Sequence, residues 1–472
     1  MNRLVVLAGL TLLIHTSVVN ARVSETEFQQ MQQMLEQALA RIKELERQHT
    51  SGALVHEDRI GAQQGESKSA ATDEIDTTER IAANTARLDK LSWAERVRLN
   101  GDFLYRYQLD EGKDLFDVGD SAEPNTSRNR QRVRAHLAVI ANLPKNIEVG
   151  LGFATGGDSP VSTVQTLGGS GSSKSIQLDL AYFDWSFNNH FNVAMGKFRN
   201  SFYRPGGNGL FWDSDWRPEG FDLRYGDDLF YVNTLGTWFE GDSNKDASKF
   251  IYGLQAGFTP KLGHIKFNLG AGYWDIKTEG ENCFDSPSKS GGGGTGRGCF
   301  GNTAIDAQGG LVAGGTPAIY FMDITPLELY ASVDFDTQLP WGVFVDFAKN
   351  TSARAVPGGP SQGKKLDTAY AIGTSLGRGK QTGEWQFKLS YQDVEADSVL
   401  GLLTDSNFGG GGTDSKGFKL SGKYMMTDQA SVGFTYYHTE RQDSNGVENG
   451  SPAISNPFDR NTLQINVLFK AK

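Results

Sequence analysis

The chain has 472 residues and a formal net charge of -10 at pH 7. This acidic balance argues against nucleic acid as a partner, because nucleic-acid binding requires basic patches. Glycine and aromatic residues are frequent, and after the N-terminal segment no run approaches the ~18 consecutive apolar residues of a membrane-spanning helix. Such a chain either is soluble or meets lipid through strands in which apolar and polar residues alternate.

Residues 1–21 have the pattern of a secretory signal peptide. Arg3 precedes an apolar run that extends to about Val19, and small residues follow this run. A single N-terminal membrane helix is the alternative, but the run is short and is interrupted by His15 and Thr16. The segment therefore predicts export to an oxidising compartment.

Residues 22–50 predict a periplasmic coiled-coil arm. Ser24 and Glu27 form a capping-box pattern. Apolar residues then recur in alternating steps of three and four, as in a coiled-coil seam: Phe28, Met31, Leu35, Ala38, Ile42 and Leu45. Residues 51–94 contain a polar linker and a second helical segment. Because an isolated helix as long as this arm needs a partner, we expect the arm to self-associate. The alternative is that the arm packs against its own domain.

From residue 95 to residue 472 the apolar period changes to two, which is typical of strands with one apolar and one polar face. In RVRAHLAVI (132–140), for example, the polar face carries arginines and a histidine. About sixteen runs show this alternation. They cover residues 95–107, 130–142, 146–156, 175–187, 190–199, 219–226, 228–240, 249–259, 264–277, 326–336, 341–349, 366–378, 383–395, 415–425, 429–439 and 461–470.

The connections between these runs alternate between short and long. Tight turns such as LPK (143–145) and GDD (226–228) alternate with long, glycine-rich segments such as 200–218 and 278–325. Bacterial outer-membrane barrels have short periplasmic turns and long outer loops. The sequence therefore predicts an all-β fold, a transmembrane antiparallel β-barrel of about sixteen strands, preceded by the helical arm. A barrel of this size encloses an aqueous channel.

Four segments together resemble the bacterial outer-membrane porins, and most closely the group called "putative porin". They are RNRQRVRAHL (128–137), GGDSPVSTVQTLGG (156–169), LDLAYFDW (178–185) and the aromatic, glycine-rich segment 196–223. The resemblance covers nearly the whole predicted barrel. It implies a homotrimer in outer-membrane lipid that lets small hydrophilic solutes or ions diffuse passively.

The resemblance also implies that the third outer loop, residues 200–218, folds into the lumen and faces a basic wall. The constriction would be formed by charged residues of this loop and of its two flanking positions: Arg199, Arg204, Asp213, Asp215, Arg217 and Glu219. The basic wall would be Arg130, Arg132 and Arg134. Three arginines on one strand face would each cost about 2–4 kcal/mol near the midplane if they faced lipid, so we expect them to face water. In the alternative arrangement, the loop packs over the barrel mouth and its charges only pair with one another.

Cys283 and Cys299 are the two cysteines of the chain, and they flank a glycine- and serine-rich segment. With two thiols and no nearby histidine, a zinc site lacks ligands. We therefore expect a disulfide, which would contribute about 3 kcal/mol by closing a short loop.

The remaining motifs do not indicate catalysis. GDS (157–159) lies in a long loop without a nearby histidine, and the seven histidines have no metal-ligand spacing. We expect a porin without cofactor or metal. Two alternatives remain: a plugged barrel whose arm tethers the outer membrane to peptidoglycan or to another partner, and an outer-membrane enzyme.

Overall fold

The computed structural model describes residues 94–112, 126–157, 159–240, 249–283, 299–305, 319–358, 361–442 and 459–471. The predicted signal peptide, the coiled-coil arm and nearly all of the second helical segment lie outside the described residues. Within this part of the chain, no helix has the length and apolar character needed to cross a membrane.

Sixteen long strands, β1–β16, make up one antiparallel sheet within the described residues. Their bounds are Val97–Gly112, Thr126–Leu143, Ile147–Thr155, Ile176–Ser186, Phe191–Lys197, Glu219–Gly226, Phe230–Glu240, Lys249–Phe258, Ile265–Ile276, Pro326–Phe335, Trp341–Asn350, Thr368–Gly377, Trp385–Val394, Ser415–Met425, Ala430–Arg441 and Asp459–Ala471. On β1, Arg106 lies opposite Arg132 of β2 and also opposite Asn466 of β16. Because the first strand pairs with the last, the sheet closes into a barrel.

The sixteen predicted runs coincide with these sixteen strands, so the predicted barrel is confirmed. Residues 219–226 and 415–425 have the predicted bounds. β1 extends beyond the predicted 95–107, because Asp110 near its outer end is held by Arg130 of β2 and Arg460 of β16. Polar pairs of this kind extend the pairing of neighbouring strands beyond the alternating apolar segment from which the strand was predicted.

The outer wall of the barrel is apolar. On β11, Trp341, Val343, Val345 and Phe347 are exposed, and the residues between them are buried. The same alternation recurs on the other strands, and it is the reverse of a soluble barrel, whose apolar side chains face inward. An exposed apolar band of this kind suits contact with lipid.

Aromatic rings collect at the turn ends of the strands. Phe335 and Trp341 stack with their centroids 3.9 Å apart on either side of one turn. Phe187, Phe191 and Tyr225 form a second group, with centroids 5.7 and 4.9 Å apart. Aromatic girdles occupy this level in membrane barrels, where one side of the ring meets lipid and the other meets water.

An apolar core lies inside the barrel and is built largely from outer loops. Trp274 of β9 is fully buried. Its ring centroid lies 4.2 Å from that of Phe202 and 4.4 Å from that of Trp212, both in the segment between β5 and β6. Cys283 and Cys299, in the loop between β9 and β10, are joined by a disulfide and belong to the same core. One side of the lumen is therefore filled by packed loops.

Candidate functional site

The third loop, residues 198–218, lies inside the barrel. The backbone nitrogen of Tyr203 donates to Oε1 of Gln255 on β8 over 2.7 Å, and the Tyr203 hydroxyl lies 2.8 Å from Oγ of Ser332 on β10. Nδ2 of Asn208 donates to Oδ2 of Asp346 on β11 over 2.9 Å. These three partners are buried, lumen-facing side chains. The loop is thus anchored to the wall opposite β2.

Two glycines form the tip of this loop. Gly206 and Gly207 have φ angles of 60° and 73°, in the left-handed region that favours glycine. A Cβ atom on Gly206 would lie 2.2 Å from the ring of Phe344 on β11. Nζ of Lys388 on β13 donates to the carbonyl oxygen of Gly206 over 2.9 Å. The tip therefore fits against the wall only because Gly206 lacks a side chain.

Asp213 is the most buried acid of the loop. Its carboxylate accepts hydrogen bonds from the backbone nitrogens of Asp215 and Ser406, each over 2.8 Å. Burial, together with the negative charges of Asp405 and Asp215, raises the pKa of Asp213 to about 6. Asp213 thus joins the third loop to the seventh loop, residues 395–414.

Asp215 connects the third loop to the basic wall. Its Oδ1 lies 3.7 Å from Nη1 of Arg134, and its Oδ2 accepts from Oγ1 of Thr163 over 3.2 Å. Nη2 of Arg134 also contacts Oδ1 of Asp102 on β1 over 2.9 Å. Arg134 therefore bridges a wall carboxylate and a loop carboxylate.

Arg130 and Arg132 also lie on the lumen face of β2, but they do not contact the loop acids. Nη2 of Arg130 lies 2.6 Å from Oδ2 of Asp110. Arg132 donates to Oε1 of Gln108 over 3.0 Å and to the carbonyl oxygen of Val164 over 3.2 Å. Of the three predicted arginines, Arg134 alone reaches the third loop. The partners of the other two are on β1 and in the loop between β3 and β4.

Glu219 and Arg199 were both expected in the constriction, and neither contacts Asp213 or Asp215 within the described residues. Glu219 is the first residue of β6 and shares the outer face with Phe221, where it pairs with Lys197 over 2.6 Å. The period of two along the strand fixes this outward direction. Arg199 is exposed at the start of the loop.

The other two loop arginines have different surroundings. Arg204 donates to the carbonyl oxygen of Trp212 over 3.3 Å and lines a cavity together with Asp213 and Asp215. Nε of Arg217 lies 3.3 Å from Oδ2 of Asp179 on β4. Arg204 thus belongs to the charged site, and Arg217 fastens the end of the loop to the wall.

Four further charged residues belong to this site and were not predicted from the sequence. Nζ of Lys419 on β14 lies 2.7 Å from Oδ2 of Asp405 in the seventh loop. Nε of Arg106 on β1 donates to Oδ1 of Asn466, and Lys388 reaches the loop tip. The alternation of side chains along β1, β13 and β14 places these three bases on the lumen face, so this position could have been predicted from the sequence. Asp405 had no such signal, because it lies in an irregular loop.

Two adjoining cavities remain between the loops and this wall. The smaller, about 200 Å³, has acids on the loops and bases on the strands: Asp213, Asp215, Asp405, Arg106, Arg134 and Lys419. The larger, about 390 Å³, shares the same three strand bases and reaches toward the turn ends. Opposite charges across a narrow space in a low-dielectric wall create a transverse field. Within the described residues, no group of three or more histidine, cysteine or acidic side chains could hold a metal ion.

The sequence comparison identifies a porin family. The sequence profile of the family described as "Putative porin" matches residues 78–282 and 324–469, which is more than half of the chain. No curated protein matches the chain in sequence. Among solved structures, the chain is similar to OprB of Pseudomonas putida at high pH, with 13% identity over 81% of this chain and 96% of that chain and a TM-score of 0.47.

Two further solved structures are similar at the same level. For Salmonella typhi OmpF in complex with daunomycin, the identity is 10%, the coverage is 79% of this chain and 97% of that chain, and the TM-score is 0.45. For a mutant of Rh. blastica porin, the corresponding values are 11%, 79%, 100% and 0.44. The family profile spans both halves of a closed barrel whose wall is apolar outside and charged inside. The chain therefore belongs to this porin family, and it forms a channel for small solutes in the bacterial outer membrane.

Proposed function

We propose that solutes pass between the third loop and the wall formed by β13–β16, β1 and β2, and that the third loop constricts this passage. The observation that carries the proposal is the pair of adjoining cavities with loop acids on one side and strand bases on the other. Charged and hydroxyl side chains keep such a passage hydrated. The apolar loop core occupies the remaining side of the lumen.

Deletion of residues 206–216 tests the constriction. The deletion removes the loop tip and Asp213 and Asp215, so single-channel conductance in a planar lipid bilayer should rise several-fold. Glu219→Gln is the control, because it removes a charge from the outer face next to the same loop. Unchanged conductance of the folded deletion variant would contradict the proposal.

We propose further that the barrel works as a homotrimer and not as an enzyme, as the porin family implies. Native mass measurement in detergent, together with heat-modifiable bands in electrophoresis, reports the oligomeric state, and a monomer would contradict this part. If folded, membrane-inserted protein carried no current, the plugged barrel would replace the open channel. Peptidoglycan capture that depends on residues 22–91 would then support the tethering alternative.

A further inference from the structure

The larger lumen cavity carries charge of one sign. Five cationic side chains line it: Arg106, Arg134, Lys388, Lys419 and Lys423. No aspartate or glutamate is among the described residues that line the same cavity. The loop acids belong to the smaller cavity, so a solute that passes them enters a space with cations only.

Three of these five cations form no salt bridge with a carboxylate within the described residues. Arg134 and Lys419 are balanced by Asp102 and Asp405. In contrast, Arg106 donates to the side-chain amide oxygen of Asn466 over 2.7 Å, and Lys388 donates to a backbone carbonyl oxygen over 2.9 Å. Neutral acceptors orient these side chains but do not neutralise their charge as a direct salt bridge would. Lys423 likewise forms no salt bridge within the described part of the chain.

These three cations lie on two sides of the cavity. Lys388 and Lys423 are on neighbouring strands, where Lys423 lies opposite Gln386 and Lys388 lies opposite Ser421. Arg106 faces the cavity from β1. Small side chains fill the wall between them: Ser375, Ser390, Ser431, Gly433 and Thr435. These residues leave room for a hydrated solute, and their hydroxyls donate hydrogen bonds to oxygen acceptors.

We propose that this cavity makes the channel anion-selective and that it binds, in transit, a small oxyanion with more than one negative charge, such as a dicarboxylate or a phosphate compound. Guanidinium and ammonium groups recognise carboxylate and phosphate oxygens through charge-assisted hydrogen bonds. The net charge of the whole chain is -10, but selectivity follows the charges that line the passage. The inference rests on the proposed passage along this wall.

The first test is the reversal potential of the full-length mature protein under a potassium chloride gradient. We expect preference for chloride over potassium. Lys423→Gln and Lys388→Gln should each lower the chloride-to-potassium permeability ratio by about sevenfold, because a unit charge about 7 Å away in water changes the energies of an anion and of a cation by roughly RT each, in opposite directions. Lys416→Gln is the matched control, since Lys416 is on the same strand as Lys423 but faces outward, paired with Glu440.

The outcomes separate the two proposals. Current with cation preference, or a Lys423→Gln ratio equal to that of the wild type, would overturn the anion proposal and leave the channel intact. The absence of current from folded protein would overturn the passage itself. The side chain of Lys423 forms no hydrogen bond or salt bridge within the described residues, so we expect its replacement to leave the fold unaffected.

The second test uses inorganic phosphate and succinate as blockers of the chloride current, with acetate as the monovalent comparison. Reduction of the current by phosphate and succinate but not by acetate supports a site for multiply charged oxyanions. An effect of phosphate alone, or of succinate alone, supports the site and identifies its chemistry. Equal effects of all three anions, or no effect of any, would overturn the binding site.

Discussion

Gly206 and Gly207 provide a matched pair of substitutions for testing whether the loop tip rests on the wall. Both residues have a positive φ angle, so alanine at either position costs about 1–2 kcal/mol of backbone strain. The two positions differ in space: a Cβ on Gly206 would lie 2.2 Å from the Phe344 ring, whereas on Gly207 its nearest neighbour is Nζ of Lys388 at 3.6 Å. Gly206→Ala therefore adds a steric overlap that Gly207→Ala lacks.

The overlap has a predictable size and consequence. Overpacking of a well-packed site typically costs about 1–3 kcal/mol, so Gly206→Ala should destabilise the seated tip by about 2–5 kcal/mol in total. A loop weakened to this extent leaves the wall, and the single-channel conductance rises and becomes noisy. Gly207→Ala should retain nearly wild-type conductance.

The double variant Gly206→Ala/Phe344→Ala provides the decisive measurement. Removing the ring removes the overlap, so the conductance of the double variant should return toward that of Phe344→Ala alone, as a double-mutant cycle would show. Equal conductance of Gly206→Ala and wild type would refute the seated tip. Equal effects of Gly206→Ala and Gly207→Ala would show that backbone strain, and not the contact with Phe344, controls the loop.

Three other predictions concern the inner core and the loops that pack with it. Trp274→Ala should destabilise the barrel by about 3–5 kcal/mol in thermal unfolding, because it empties the inner core; Trp238→Ala, which removes a half-exposed outer ring, should cost much less. Burial raises the pKa of Asp397, which accepts two hydrogen bonds from Thr303, to about 6. The stability that this carboxyl contributes is fully present below about pH 4 and is lost as the pH rises through about 6. The protection factors for hydrogen exchange of residues 299–305, which correct for the intrinsic pH dependence of amide exchange, should accordingly be larger at pH 4.5 than at pH 7.5. Asp397→Asn should reduce this difference, and a pH dependence of the protection factors identical to that of the wild type would refute the assignment. Cys283→Ser should weaken the loop between β9 and β10 by about 3 kcal/mol, seen as faster proteolysis of that loop while the barrel stays folded, and an unchanged cleavage rate would count against it.

The sequence allowed prediction of the barrel because one physical constraint acts on every strand. Each strand has one face toward lipid and one toward water, so apolar and polar residues alternate along all sixteen runs. The same constraint placed Arg130, Arg132 and Arg134 on one face. It did not give their partners, because those depend on lateral register: Arg134 lies near Asp102 only through the pairing of β1 with β2.

The errors at the site have two distinct physical origins. Glu219 was placed in the constriction although the predicted strand 219–226 already began with it, and the alternation along that strand turns its side chain to the outer face together with Phe221. Asp405 was missed for another reason. Its contact with Lys419 and the hydrogen bond from its backbone nitrogen to Gly209 join segments that are remote in sequence, and irregular loops have no period that predicts such contacts.

The division of the lumen explains how the loop can be held firmly beside a hydrated passage. The aromatic rings of the third loop pack against Trp274 on one side, where burial of apolar surface supplies the binding free energy. The polar edge of the loop, with Asp213 and Asp215, faces β1, β2 and β14 on the other side. Since the anchoring contacts and the charged lining are on different faces of the loop, single charges on the wall, such as Lys423, can be changed without releasing the loop. Ion preference and loop position are therefore separable at Lys423, whereas Lys388 and Arg134 contact the loop and their replacement affects both.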